Sequence, residues 1–166
     1  PVDIDTGTSY SRVSAKESQT CGLLSGSSIL KCWGANSSGQ LGDGFLSNRS
    51  TPIKIDQATA YSQVSMGAVH TCAIVSPTGA LRCWGDRSNG RHGDRVSLSE
   101  RNPIGVDPRS TYSKVEVGNA FGCGVSATSG AIRCWGRNSN NQLGDRTEIP
   151  RSSPTRLGLE REFSSV

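Results

Sequence analysis

Three near-copies of one stretch decide the fold, and the middle copy reads Cys72-Ala-Ile-Val-Ser-Pro-Thr-Gly-Ala-Leu-Arg-Cys83-Trp84-Gly85. The other copies begin at Cys21 and Cys123, so each lies 51 residues from the middle one with no slip in register. Self-similarity at a fixed period indicates a repeat architecture in which each unit packs on its neighbours. We divide the single predicted domain, residues 1–166, into repeats over 1–51, 52–102 and 103–153 and a partial fourth over 154–166.

The cysteines predict how each copy is cross-linked. Each pair, separated by 11 positions, flanks a predicted hairpin with a four-residue loop, residues 76–79 in the middle copy. Counting back from Val75 and Ala80 sets Cys72 opposite Cys83, with Cα atoms about 4.5 Å apart, a separation that suits a disulfide. Zinc is the alternative, but the C-x2-C pairs of common zinc sites are missing. We predict disulfides and hence an extracytoplasmic protein, secreted or at the cell surface. The pairs are Cys21 with Cys32, Cys72 with Cys83 and Cys123 with Cys134.

Composition favours an all-β chain. Of 166 residues, 33% are apolar and 19% charged, with 20 glycines and 7 prolines, and no apolar run has the helical period. These features are typical of short strands joined by turns. No run approaches the ~20 apolar residues of a membrane span, so we expect no membrane insertion. The first residue is Pro1 and no signal peptide is visible, so we expect a processed or excised piece of a longer protein.

Two further strands flank each hairpin. Proline-started strands are predicted over Pro1–Asp5 and its later copies, and strands with an aromatic residue and a valine over Tyr10–Ser14 and its later copies. Four short strands in about 50 residues indicate a propeller blade. Three blades are fewer than the roughly 4 to 8 of a closed ring. We therefore expect part of a six- or seven-bladed propeller, with an open arc or a self-associated, strand-swapped oligomer as alternatives. The later copies are 52–56, 103–107 and 154–158 for the first strand, and 61–65, 112–116 and 163–166 for the second.

A known repeat family has the same pattern. Trp33-Gly34-x-Asn36-x-x-Gly39-Gln40-Leu41-Gly42-Asp43, with Gly67-x-x-His70-Thr71-Cys72-Ala73, resembles the regulator of chromosome condensation repeat, in a disulfide-containing variant. The resemblance implies a seven-bladed propeller in most relatives. It implies roles that range from nucleotide exchange on a small GTPase and inhibition of a secreted enzyme to photoreception and cell-surface recognition. Arg91, His92 and Asn141 depart from the pattern, and fold alone does not choose among these roles.

Catalysis and metal binding find little support. Only His70 and His92 are bases suited to neutral pH, and the sequence groups no nucleophile, base and orienting residue. We predict that the chain is not an enzyme and holds no cofactor or metal. The repeated Gly-Asp pairs suggest calcium, yet the loops lack the closing acidic ligand of a known calcium loop, so we interpret them as turns. The pairs stand at 42–43, 93–94 and 144–145.

The tryptophans and the loops carry the remaining expectations. Trp33, Trp84 and Trp135 occupy one repeat position, which favours packing between blades over an exposed aromatic platform. The loops after the Gly-Asp pairs differ between copies, and a constant scaffold with differing loops is common in recognition proteins. Arginines in these loops suit carboxylate, phosphate or sulfate groups, although ordinary solvated arginine explains them equally well. The candidate ligand-binding residues are Phe45, Arg87, Arg91, His92, Arg95, Arg137 and Arg146.

These features suggest a function without naming the ligand. We expect an extracytoplasmic adhesion or binding module that recognises a protein or a cell-surface glycan through its loops. No basic stripe interleaved with aromatic residues is visible, so nucleic acid is not an expected partner. A regulatory propeller that acts on an enzyme or a small GTPase is the alternative, and a purely architectural spacer is a third.

Overall fold

A computed structural model describes residues 3–96 and 99–157. The described chain is almost entirely β, with one short 3₁₀ turn at Ser88–Gly90. Within those residues, no helix has the length and apolar character needed to cross a membrane. The strands are β1 (Tyr10–Lys16), β2 (Gln19–Leu24), β3 (Ile29–Gly34), β4 (Arg49–Met66), β5 (His70–Val75), β6 (Leu81–Gly85), β7 (Glu100–Val106), β8 (Tyr112–Val117), β9 (Phe121–Ser126), β10 (Ile132–Gly136) and β11 (Arg151–Arg156).

The strands form three antiparallel blades of four strands each. Blade 1 contains β1, β2, β3 and the first part of β4, and blade 2 contains the last part of β4 with β5, β6 and β7. Blade 3 contains β8, β9, β10 and β11. β4 serves two blades because its start pairs with β3 and its end, from Tyr61, pairs with β5. The all-β blade architecture predicted from the sequence is thus confirmed.

Each central hairpin has the register that the cysteine spacing predicts. Cys72 lies opposite Cys83, with a Cα–Cα distance of 4.1 Å, and the two are bonded. The Val75 N–H donates to the Ala80 carbonyl at 2.9 Å and closes the four-residue loop. Because the loop length sets the pairing, the same register recurs in the other blades. Disulfides also join Cys21 to Cys32 and Cys123 to Cys134.

The core lies between the blades. One apolar cluster joins blade 1 residues such as Leu30 and Leu41 to Trp84 of blade 2, and another joins Ile74 and Leu81 of blade 2 to Trp135 of blade 3. Both tryptophans are fully buried. A single blade cannot bury both of its faces, so adjacent blades pack face to face and bury the apolar side chains between them. The predicted packing role is therefore seen at Trp84 and Trp135, while Trp33 is half-buried.

The outer strands differ from the prediction in two ways. The later proline-started strands begin three residues before their proline, at Arg49, Glu100 and Arg151, because these residues pair with the glycine that ends the third strand. Residues 3–5 of the first such strand form no strand. The third strand of a preceding blade would be their ladder partner, and the described residues contain none. The predicted strand over 163–166 lies outside the described residues.

Candidate functional site

The loop between the third and fourth strands of blade 1 is built on one buried amide. The Asn36 side chain is fully buried. Its Nδ2 donates to Asp43 Oδ1 at 2.8 Å and to the carbonyls of Phe45 and Ser47, each at 3.1 Å. Its Oδ1 accepts the Leu41 N–H at 3.0 Å. Asn138 makes the equivalent bonds in blade 3. A satisfied buried network of this kind fixes the backbone that carries the exposed residues.

The Gly-Asp carboxylates complete this network and form the predicted turns. Asp43 accepts the Phe45 N–H at 3.1 Å and the Arg49 Nε–H at 2.6 Å. Burial opposes the charge of Asp43, but these hydrogen bonds outweigh it and lower the pKa of that carboxyl. In blade 3, the Thr147 hydroxyl is the main cause that lowers the pKa of Asp145 to about 2. Both carboxylates are therefore ionised at neutral pH and serve as turn acceptors.

Blade 2 forms the equivalent loop, but its arginine lies inside the loop and an acidic residue lies on the fourth strand. Arg87 replaces the buried asparagine, and Glu100 replaces the arginine of the fourth strand. The Arg87 guanidinium lies 2.7 Å from Asp94 Oδ2 and donates through Nε to His92 Nδ1 at 2.9 Å. It also lies 3.9 Å from the Glu100 carboxylate. Arginine thus holds the loop that an amide holds in the other blades.

Two imidazoles are buried where blade 2 meets blade 3. His70 and His92 are both fully buried, with ring centroids 6.4 Å apart. Desolvation, reinforced by the Arg91 charge, lowers the pKa of His70 to about 3. Desolvation, reinforced by His70 and Arg87, lowers the pKa of His92 to about 3. Both rings are neutral at physiological pH, so this pair supplies no charge to a ligand.

The Gly-Gln-Leu-Gly-Asp loop also connects neighbouring blades. Trp84 Nε1 and Thr71 Oγ1 of blade 2 donate to the Gln40 carbonyl of blade 1, at 2.9 and 2.8 Å. Gly42 has a positive φ of 82°, and a Cβ there would lie 2.6 Å from Trp84 Nε1. Only glycine permits this contact. Trp135 repeats the bond with the Arg91 carbonyl at 2.9 Å. The loops of blades 1 and 2 therefore each support the next blade as well as their own exposed tips.

Comparison with known proteins identifies these blades. Two models of the regulator of chromosome condensation (RCC1) repeat match, over residues 32–74 and 61–91. The ultraviolet-B receptor UVR8 of Arabidopsis thaliana is 32% identical over 136 residues, which cover 80% of this chain and 30% of the receptor. The chain contains RCC1 repeats, which the two models place within residues 32–91.

Solved structures support the same fold. Prp20p of Saccharomyces cerevisiae superposes with a TM-score of 0.80 at 16% identity, over 90% of this chain and 38% of that one. The ectodomain of the Physcomitrella patens receptor kinase CR4 superposes with a TM-score of 0.53 at 22% identity, over 81% of this chain and 32% of that one. At these identities the likeness shows the RCC1-type propeller fold alone. The chain spans about a third of the length of these relatives.

The candidate residues separate into buried and exposed groups. Arg87, Arg91 and His92 are 5%, 7% and 0% exposed. Arg87 and His92 bond each other, and Arg91 donates to the Ser88 carbonyl and hydroxyl at 2.9 and 2.8 Å. The side chains of these three residues hold their loop together from inside, and their role in ligand binding stays a prediction. The exposed candidates are Phe45, Arg95, Arg137 and Arg146.

Several apolar side chains near the loop tips are exposed, and of these only Phe45 was named as a candidate from the sequence. Leu46, Val96 and Ile149 are 44%, 49% and 59% exposed, and Phe45 is 60% exposed. We call these four residues the loop surface. A hollow of about 250 Å³ between the loops of blades 1 and 2 contains Leu46 in its wall. Equivalent loops of stacked repeats lie on the same side of the blades. An apolar residue soon after each Gly-Asp pair was therefore the sequence signal that could have predicted this surface.

Proposed function

We propose that this chain is part of an extracytoplasmic recognition propeller whose loop surface binds a partner protein. One observation carries the proposal: the loop backbones are held alike by buried networks in all three blades, while their exposed tips differ. Asn36, Arg87 and Asn138 occupy the same buried position in these networks. A rigid backbone reduces the entropy lost on binding, because the tips need no further ordering.

The chemistry of the loop surface favours a protein partner. Phe45, Val96 and Ile149 present exposed apolar side chains on three successive blades, and such side chains suit the apolar anchors of a protein interface. The Arg49 guanidinium lies over the Phe45 ring, 5.2 Å from its centroid, and orients it. Arg137 and Arg146 are exposed around these tips and suit carboxylates of a partner. A glycan is the alternative ligand.

The disulfides support the extracytoplasmic setting. Each blade carries one bond between adjacent strands, and the described chain has no free cysteine. Such bonds persist in oxidising compartments and are rare where glutathione keeps thiols reduced. The CR4 ectodomain, part of a receptor kinase, has the same fold, which is consistent with an extracellular location.

Regulation of an enzyme or a small GTPase is the second candidate. The structure of Prp20p is described together with its binding properties to Gsp1p and histones, so a related fold does bind proteins of that kind. That role would place the six cysteines in a reducing compartment. The redox state of the cysteines therefore separates the two candidates.

Binding of the labelled chain to cell-envelope material of the source organism tests the proposal. The double variant Phe45→Ser/Ile149→Ser should bind at least about tenfold more weakly, since exposed anchors supply most of the binding energy. Gln57→Ser, an exposed residue outside the loop surface, serves as the control and should bind like wild type. Protease treatment of the envelope should abolish binding. Unchanged binding by the double variant would exclude the loop surface as the binding site. Binding that survives protease treatment of the envelope but is lost after glycosidase treatment would indicate a glycan ligand.

A further inference from the structure

A polar groove lies between the outer strands of blades 2 and 3. Its volume is about 450 Å³. It lies between the end of β7 with its following turn on one side and β10 and β11 on the other. It is lined by Arg95, Asp107, Arg109, Arg133, Ser153 and Pro154, among others. The four residues of the loop surface do not line it.

The repeats supply an internal control for this groove. At the junction of blades 1 and 2, the positions of Arg95 and Arg109 are held by Gly44 and Ala58. Of the three guanidinium groups that line the groove, two are thus specific to the second junction. Differences between copies of one scaffold indicate function more directly than shared residues do, because shared residues serve the fold.

The third guanidinium is free of the ion pair that its counterparts make. Arg82 of blade 2 pairs with Asp56, and Lys31 of blade 1 pairs with Asp5 at 2.7 Å. In the part of the chain that the structure describes, Arg133 has no ion-pair partner, and its buried Nε–H donates to no acceptor. A buried charged donor without a partner is costly unless a ligand satisfies it.

Gly105 opens the groove. Lys54 occupies the equivalent position in blade 1, whereas a Cβ built on Gly105 would meet nothing within 4 Å. Glycine in a strand commonly marks close approach of a ligand or another chain. The position therefore leaves empty space in the groove that the three arginines also line.

The acceptors in the groove restrict the ligand further. Asp94 is paired with Arg87 at 2.7 Å, so its charge is already neutralised. Asp107 accepts the Tyr112 hydroxyl through Oδ2 at 2.6 Å and lines the groove. A carboxylate beside three arginines disfavours a ligand that is anionic throughout. It suits one that carries an acid group for the guanidinium forks and hydroxyl donors for Asp107 and Ser153.

We propose that the groove between blades 2 and 3 binds an acidic saccharide, with Arg95, Arg109 and Arg133 holding its carboxylate or sulfate. Asp107 accepts hydrogen bonds from the ring hydroxyls, and the Ser153 hydroxyl donates to or accepts from them. The groove is separate from the loop surface, so saccharide binding in the groove does not depend on the protein binding proposed above.

Calorimetric titration with defined saccharides tests the site. The unsulfated chondroitin disaccharide, which carries one uronic carboxylate, should bind at least about tenfold more tightly than neutral N-acetyllactosamine. The variant Arg95→Gly/Arg109→Ala, which introduces the residues of the first junction, should lose at least about tenfold in affinity. Arg12→Gln, an exposed arginine of β1, should bind like wild type.

A second variant fills the groove without changing its charge. Gly105→Gln should abolish binding of the disaccharide, while leaving the loop-surface partner bound as before. Equal affinity for the neutral disaccharide, or wild-type affinity in either groove variant, would overturn the proposal. Tighter binding of tetraglutamate than of the disaccharide would also overturn it and would assign the groove to an acidic peptide.

Discussion

Mild acid should destabilise this chain through one pair of buried imidazoles. His70 and His92 have ordinary pKa values of 6.5 that burial lowers to about 3 in the fold. An imidazole whose pKa is lower in the folded state than in the unfolded state stabilises the fold fully at pH values above its unfolded pKa. That stability is lost as the pH falls from 6.5 towards the folded value. The groups that face the pair are Arg87, Arg91 and Asp86.

The magnitude follows from linkage. At about pH 5 an unfolded imidazole gains about 2 kcal/mol by binding a proton that the folded ring does not take up. Both rings together lower the free energy of unfolding by up to about 4 kcal/mol relative to about pH 7.5. This is a large part of the 5 to 15 kcal/mol typical of a domain, roughly speaking. The low-pKa carboxylates Asp43 and Asp145 contribute little here, because their stability is lost only below about pH 4.

Urea denaturation followed by tryptophan fluorescence, with the disulfides intact, measures this loss at the two pH values. The matched variant is His70→Gln/His92→Leu, which introduces the residues that blade 1 has at these positions, Gln19 and Leu41. Wild type should lose up to about 4 kcal/mol between about pH 7.5 and about pH 5, and the variant less than about 1 kcal/mol. Equal losses in the two proteins, or folded imidazoles that titrate near pH 6.5 by NMR, would refute the reasoning.

Two further pairs of substitutions compare a buried residue with an exposed or half-buried counterpart. Arg87→Ala should reduce the free energy of unfolding by about 3 kcal/mol, because it leaves the buried Asp94 carboxylate unpaired. Arg137→Ala, at an exposed position, should change it by less than about 0.5 kcal/mol. Trp84→Phe should cost about 1 kcal/mol or more through loss of the bond to the blade 1 carbonyl, and the half-buried Trp33→Phe distinctly less. Urea denaturation checks both pairs, and equal effects within either pair would contradict the assigned contacts.

The repeat made most of the fold predictable. A four-residue hairpin loop leaves one register that places Cys72 opposite Cys83, and a slip of one residue would turn every side chain to the other face. The strand predicted over residues 1–5 fails at residues 3–5, because strand formation depends on a pairing edge as well as on alternation. The alternation of apolar and polar residues predicts an extended segment, but it does not show whether a neighbouring strand is present to pair with it.

The candidate site was less predictable because burial depends on the next blade. Arg87 and His92 lie in a polar loop, and nothing local to that loop shows that they point inward. A signal did exist in the paired exchange of Asn36 and Arg49 for Arg87 and Glu100, since a coupled change of this kind indicates contact. The groove could not be predicted from the sequence, because its arginines come from separate segments that only the stacking of the blades brings together.

Peptide mapping of the unreduced protein, isolated from its source with free thiols blocked, tests the central claim most directly. Self-contained blades in an oxidising compartment should give three linked peptide pairs, each joining cysteines 11 residues apart within one blade. Six blocked thiols, or links between cysteines of different blades, would contradict it.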